Sequence, residues 1–373
     1  MTGLLQSLIT VVLFFAILGT LVVIHELGHF IVARLAGVRV LEFGIGFPPR
    51  AKVLRSKGET LYTLNWLPIG GFVKLEGEDG DAGGDPRSFS AKSLPTRLLI
   101  LVAGVVMNVV LALVIFTGIT WLASPLAGLR FHEVEPGSPA GEAGLRPGDA
   151  IVAIDGQRFQ IITGPGIIQD LRGHAGDTVI LTIDSPDGSR RDVTVTLRDS
   201  AAVAEGKGAL GIIGEDRPFE AYFDGATTTN SLDTALRVGA QDTLRWMGLI
   251  VGGLGMLVES VAADPTAPPP VAGPIGIATQ IGDVFFNAGP IMTLYVAGIL
   301  SANLAVVNIL PFPPLDGGRM LMITLKRIFG TRISLRAEQL TYLVGFAFLF
   351  AFIIWVSGFD LIRTLGGGPP PTP

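Results

Sequence analysis

Cysteine is absent from these 373 residues, histidine occurs four times, and charged side chains make up only 16%. Without cysteine there are no disulfides, no thiolate metal sites and no thiol nucleophile. Any metal must therefore be held by His, Asp or Glu, and the histidines available are His25, His29, His132 and His174. Charge is scarce and its net value is −5, which argues against nucleic acid as a partner. The first 24 residues, Met1 to Ile24, hold no charge at all. They lack the basic start and the small-residue cleavage site of a signal peptide, so the run reads as a retained span. What is present is apolar: 49% hydrophobic residues and a mean hydropathy of +0.55. That is the composition of a chain that lives in the lipid bilayer.

Four segments reach the ~20 residues needed to span a hydrocarbon core: 1–36, 98–123, 291–318 and 340–363. A further apolar run, Trp246–Val258, has 13 residues and is rich in glycine. It predicts an amphipathic or re-entrant helix over 243–261, inside a linker 216–290 that also holds the Pro-rich ADPTAPPPVAGP. Nine Lys/Arg fall in 37–97, and five in 319–336 without an acidic residue. The positive-inside rule puts the loops 37–97 and 319–339 in the cytoplasm and the N-terminus outside. Within the first loop, ETLYTLNWLPIGGFVKL (59–75) predicts a β-hairpin around Pro68-Ile69-Gly70-Gly71, apolar enough to dip into the membrane interface. The acidic, Gly-rich 76–88 reads as solvated loop, and 364–373 as a disordered tail.

The stretch LVVIHELGHFIVARL, 21–35, carries the chemistry. On a helix His25 and His29 stand one turn apart on one face, so both imidazoles reach one ion. Glu26 lies beside the first of them, where it can take a proton from water. An ionisable residue at membrane depth costs about 2.5–3.5 kcal/mol, which argues for a metal site rather than packing. Zinc needs a third protein ligand. The extended zincin pattern fails, because Val32 and Leu35 stand where its Gly and last His belong. Glu42 and Glu59 are candidates in a loop. Asp316 is the stronger one: VNILPFPPLDGGRM (307–320) breaks the third span with three prolines on the side where the first span carries HELGH.

Between spans two and three, FHEVEPGSPAGEAGLRPGDAIVAIDGQRF (131–159) resembles the PDZ domains of bacterial proteases, with further strands over Thr178–Asp184 and Arg191–Leu197. Taken together, HELGH, PxGGFVK, the MN of span two, one PDZ module, GPIGIA and NxxPxPPLDGG resemble the site-2 proteases, the bacterial PDZ-bearing zinc metalloproteases of regulated intramembrane proteolysis. The resemblance implies a polytopic α-helical membrane protein with four transmembrane helices. It adds a cytoplasmic-side membrane-associated β-hairpin and one extracytoplasmic α+β PDZ domain, 126–215. It implies one Zn2+ per chain on His25, His29 and Asp316, with Glu26 as catalytic base and Asn308 contacting substrate or transition state. Gly70, Gly71, Phe72 and Val73 would present a transmembrane substrate as an extended strand. Leu210, Gly211 and Ile212 of GALGIIG would receive a peptide C-terminus, such as that of a pre-cleaved substrate. The expected place is a bacterial inner membrane, with the site near its cytoplasmic face. The expected substrates are anti-sigma factors or remnant signal peptides. Two other readings stay open: a proteolytically silent PDZ membrane scaffold, and a zinc-dependent membrane hydrolase or transporter with a non-protein substrate.

Overall fold

The computed structural model describes residues 3–56, 58–78, 85–160, 167–213, 220–264, 266–330 and 334–366. Two compact units are present, one of residues 1–116 with 240–373 and one of residues 117–239.

The first unit opens with α1 (Gly3–Leu35), 33 residues and therefore about 50 Å long at 1.5 Å per residue. It stops at Gly37, whose φ of +70° suits glycine. There Gly37 N–H donates to the Arg34 carbonyl (3.1 Å) and Val38 N–H to that of Ala33 (2.8 Å), so the last carbonyls are satisfied as the chain turns away. β1 (Val40–Arg55) and β2 (Leu61–Leu75) then pair antiparallel. Both bend, so that Phe43 faces Val73 and also Tyr62, and Ile45 faces Gly71 and also Leu64. The expected hairpin within 59–75 is thus replaced by one strand that pairs with 40–55, because Pro68 to Gly71 bend the strand instead of reversing it. Its turn signal has another use: at Gly70 (φ +74°) a Cβ would come within 2.9 Å of Val22 Cγ1, so glycine there lets the sheet close on α1. α2 (Leu94–Ala123) follows.

The second unit holds β3 (Ser124–Arg130), β4 (Glu133–Val134), α3 (Pro139–Glu142), β5 (Ala150–Ile154), β6 (Gln157–Gln160), α4 (Ile167–Gly173), β7 (Thr178–Asp184), β8 (Arg190–Thr196), α5 (Ser200–Ala204), β9 (Ile212–Ile213), β10 (Glu220–Tyr222) and β11 (Thr227–Thr228). A seven-stranded sheet runs β10-β3-β6-β5-β7-β8 with β11 on β3, while β4 pairs β9. In β7 the alternation is plain: Val179, Leu181 and Ile183 enter the core with Phe131 and Ile151, and Thr178 and Ile180 face out. Turn chemistry sets the connections. Ser138 caps α3 through Gly141 N–H, with Pro139 at its first position. Asp155 and Gly156, both at positive φ, turn β5 into β6.

An ion-pair cluster holds one end of this sheet. Arg190 binds both oxygens of Asp184 (2.5 and 2.6 Å) and one of Asp224 (2.8 Å), and Arg158 also reaches Asp224 (2.7 Å). Hydrogen bonds from Arg190 hold the Asp184 carboxyl below its ordinary pKa. At Asp224 burial pushes upward, but Arg190, the Ala226 N–H and Arg158 outweigh it and the pKa is again lowered. A depressed carboxyl adds stability above its unfolded pKa, near 3.9, which is lost as pH falls through the folded value. Protection factors of β7 and β8 amides in the full chain, which correct for the intrinsic pH dependence of exchange, should therefore fall on acidification from pH 5 to 3. In Arg190→Met that acid sensitivity should shrink; an unchanged profile would assign it to other groups.

The chain returns to the first unit through α6 (Leu232–Ala263), then α7 (Pro274–Ile309), α8 (Asp316–Phe329) and α9 (Leu335–Gly366). Among the described residues five helices, α1, α2, α6, α7 and the Arg336–Arg363 part of α9, are long and apolar enough to cross a membrane. The sequence predicts four spans and a shorter segment at 243–261. The difference arises because helix formers such as Ala235, Leu236, Arg237 and Gln241 extend the apolar run backwards to an N-terminal turn at Ser231, whose Oγ accepts from Thr234 N–H (3.3 Å). α7 also begins earlier than the predicted third span, and it kinks at Gly289 (φ 82°, ψ −179°) ahead of Pro290. Its first turn contains GPIGIA. Gly273 supplies no side-chain cap; instead the buried Asp360 of α9 accepts from Gly276 N–H at 2.8 Å. A Cβ on Gly273 or Gly276 would come within 2.8 or 2.9 Å of that carboxylate, which accounts for both glycines.

Candidate metal centre

HELGH occupies the last turns of α1, with His25 and His29 each only 6% exposed. What meets them is remote in sequence. α7 ends at Ile309, Leu310–Leu315 turn the chain, and α8 starts on Asp316. The tight return requires glycine after the aspartate. A Cβ on Gly317 would lie 2.2 Å from the Ile309 oxygen, and one on Gly318 2.5 Å from Phe312 carbonyl carbon. Asp316 Oδ2 thereby comes to 2.9 Å from His25 Nε2 and 3.3 Å from His29 Nε2, and the two nitrogens are 3.1 Å apart.

These distances suit a metal. Donors bound tetrahedrally at 2.0–2.2 Å sit roughly 3.3 Å from one another. Two imidazole nitrogens and one carboxylate oxygen, close together, could hold a metal ion, and they match in kind the donors of an open catalytic zinc site rather than a closed thiolate one. Among the described residues this is the group of His, Asp and Glu that meets such a requirement. Glu42 is instead bound by Arg50 (2.8 Å) and Thr63 (2.7 Å), and Glu59 by Arg87. His132 and His174 lie in the second unit, His174 beside Asp177.

One face of α2 holds the far side of both imidazoles. Ile100, Gly104 and Asn108 recur every four residues and so form a stripe. The Ile100 carbonyl accepts from His29 Nδ1 at 2.8 Å, which in the neutral ring leaves Nε2 free of a proton and turned towards Asp316. Asn108 Nδ2 lies 3.2 Å from His25 Nδ1, and the residue is wholly buried. Between them Gly104 is bare, because a Cβ would stand 2.4 Å from His29 Nε2 and 2.7 Å from the His25 ring. Gly28 on α1 answers it, pressed against the Ala103 backbone. In the sequence Asn108 is the N of the MN motif of span two, and no role is attached to it there. The usable signal was an amide side chain in mid-span, four residues after a glycine.

Glu26 lines a cavity of about 210 Å3 together with His29, Asp316, Gly71, Phe72 and Val73. β2 delivers the last three. A Cβ on Gly71 would be 2.9 Å from the Gly44 oxygen and 3.8 Å from Glu26 Cγ, so the strand passes directly beside the glutamate. Glu78 and Arg319, paired at 2.5 Å, close the same cavity. Gly70 faces a neighbouring apolar cavity of about 390 Å3 against Gly19, Thr20 and Val23. Asn308 is half-buried in the last turn of α7 and is not part of the lining around Asp316. In the second unit, Leu210 is a core residue at 2% exposure, and its carbonyl accepts from Ala140 N–H while that of Gly211 accepts from Glu135 N–H. Ile212 pairs with Val134.

The model of peptidase family M50 matches residues 13–352. The chain is similar to zinc metalloprotease RasP of Geobacillus kaustophilus, 28% identical over 95% of this chain and 98% of that protein. It is similar also to two proteins each named "putative zinc metalloprotease", from Clostridium perfringens (33% identical, 93% of this chain and 98% of that one) and Clostridium acetobutylicum (31%, 96% and 98%). With several helices long and apolar enough to span, a buried donor set of two histidines and an aspartate, and a match over nearly its whole length, the chain belongs to peptidase family M50, the site-2 proteases, as a multi-pass membrane zinc metalloendopeptidase.

Proposed function

We propose that this protein cuts peptide bonds inside the transmembrane segments of single-pass membrane proteins, using one zinc held by His25, His29 and Asp316. The observation that carries the reading is the meeting of HELGH, at the end of a 33-residue apolar helix, with the carboxylate that opens α8 just past the end of α7. Zinc held by His25, His29 and Asp316 would supply Lewis-acid polarisation of a carbonyl and would lower the pKa of water to about 7. Glu26 would carry the proton, taking it from water in the site and giving it to the leaving amine nitrogen. Its place beside Gly71 suits this, since a substrate strand paired along Gly71-Phe72-Val73 runs past its carboxylate. Such pairing also offsets the backbone hydrogen bonds a transmembrane helix gives up when it unwinds. Asn308 is proposed to donate its amide to the substrate from the end of α7.

Topology supports a four-span arrangement. The C-terminal ends of α1 and α7 meet at the donor set, so they share one side of the membrane. If α2 and α7 both cross, the segment between them must begin and end on the other side, and α6 makes no net crossing despite its length. The basic loops 37–97 and 319–339 then face the cytoplasm of a bacterial cell, with the site near that face. Phe47, Leu64, Trp66 and Leu67, all exposed on β1 and β2, give the sheet an apolar surface suited to the interface. Residues 126–215 are assigned to an extracytoplasmic PDZ module that reads or filters substrates already clipped outside, such as membrane-bound anti-sigma factors or remnant signal peptides. Purified protein in liposomes, given a tagged single-span substrate, should produce fragments whose new ends map within the apolar segment by mass spectrometry. Cuts confined to the flanking polar sequence would sink the intramembrane reading.

A further inference from the structure

We infer that Asn108 selects the protonation pattern of His25: its amide oxygen accepts the Nδ1 proton, and so leaves Nε2 free to bind metal. This rests on the zinc reading of His25, His29 and Asp316.

A neutral imidazole carries one proton, and whichever nitrogen holds it cannot also be a ligand. For His29 the matter is decided by the Ile100 carbonyl, which can only accept and therefore fixes the proton on Nδ1. His25 faces no carbonyl at that position. It faces the carboxamide of Asn108, whose Nδ2 end lies 3.2 Å from Nδ1 while the buried Oδ1 end has no hydrogen-bond partner among the described residues; a half-turn of the amide exchanges the two. A carboxamide offers two isosteric ends with opposite consequences. If Nδ2 donates to His25 Nδ1, the proton must sit on Nε2, 2.9 Å from Asp316 and 3.1 Å from His29 Nε2, and His25 is lost as a ligand. If Oδ1 accepts, Nε2 is unprotonated and the three donors are equivalent in kind. A metal therefore requires the second arrangement, and Asn108 does for His25 what a backbone carbonyl does for His29.

The rest of the helix is built around that contact. Ile100, Gly104 and Asn108 place an acceptor, a gap and an acceptor along one stripe, so that two imidazoles from one turn of α1 rest on one face of α2. Ser301 of α7 donates to the Asn108 carbonyl at 2.8 Å and fixes the height of the residue. The chain segment that supplies Asp316 is thus tied to the one that orients His25. Asn108 touches neither substrate nor reacting atoms and is a positioning residue.

Zinc affinity of the purified full chain, measured by competition with a chromophoric chelator, tests this without reference to activity. Wild type should bind one zinc. Asn108→Leu, which leaves Nδ1–H without an acceptor, should bind about 10–100-fold more weakly. Asn108→Asp offers only acceptors and should match wild type or bind more tightly. The cobalt-substituted Asn108→Asp protein should keep the visible absorption of the wild-type site, which a packing role alone would not predict. If Asn108→Leu binds zinc as tightly as wild type, the residue only packs and the inference falls. Should Asn108→Leu fail to fold, Asn108→Asp decides: a loss of tenfold or more means the amide donates. Wild type that binds no zinc overturns the parent reading and this one together, whereas normal binding in all three proteins overturns this one alone.

Discussion

Glu26→Gln protein should bind zinc as wild type does and cleave a transmembrane substrate about 10²–10⁴-fold more slowly, the range a positioned proton carrier supplies. The donor set excludes Glu26 itself, so occupancy should survive its neutralisation. Its side chain lines the cavity that Gly71, Phe72 and Val73 border, and an amide of the same shape keeps that lining intact. What the amide cannot do is hold a proton between the two halves of the reaction. Metal analysis and a single-turnover cleavage assay on the same preparation separate the two effects. Normal cleavage with normal zinc would move the role to another group, and Glu78 lines the same cavity. Glu78 is a poorer carrier because Arg319 holds it at 2.5 Å and Leu75 N–H donates to it at 3.1 Å.

Gly104→Ala should lower activity through the metal, not through the proton. The added Cβ would stand 2.4 Å from His29 Nε2 and 2.7 Å from His25 Nε2, distances at which something must shift. What it meets is the pair of imidazoles, each held from behind by α2 itself through Ile100 and Asn108. Overpacking of this kind costs about 1–3 kcal/mol. If it falls on the bound geometry, that is roughly five- to 150-fold in zinc affinity. Gly118→Ala is the control on the same helix, because a Cβ there meets nothing within 4 Å. It should bind zinc normally and be neutral or slightly stabilised, as expected for alanine over glycine in a helix. Equal zinc affinity in both variants would show that α1 and α2 separate easily at this point and that the close approach is not needed.

The two experiments probe different parts of one arrangement. Glu26 belongs to α1 and faces β2, whereas Gly104 belongs to α2 and faces the opposite side of the histidines. A protein that has lost its proton carrier keeps its metal, and one that has lost its clearance does not.

The amino-acid order by itself determined which residues were available. Without cysteine, metal chemistry had to fall to His, Asp and Glu. The i, i+4 spacing put His25 and His29 on one helical face before any tertiary contact existed. Three prolines before Asp316 marked where a span must break. Periodicity and turn residues likewise announced strands over 178–184 and 191–197, because both signals are local. Tertiary structure decided the rest, for reasons that local signals do not contain. That Asp316 and not Glu42 or Glu59 meets the histidines depends on α7 and α8 folding back through Gly317 and Gly318. That 59–75 pairs with 40–55 depends on long-range register. That α6 runs 32 residues depends on polar helix formers a hydropathy window discounts. Asn108 shows the division most clearly: in the sequence it is one polar residue in an apolar run, and only the packing of α2 on α1 sets its amide against His25.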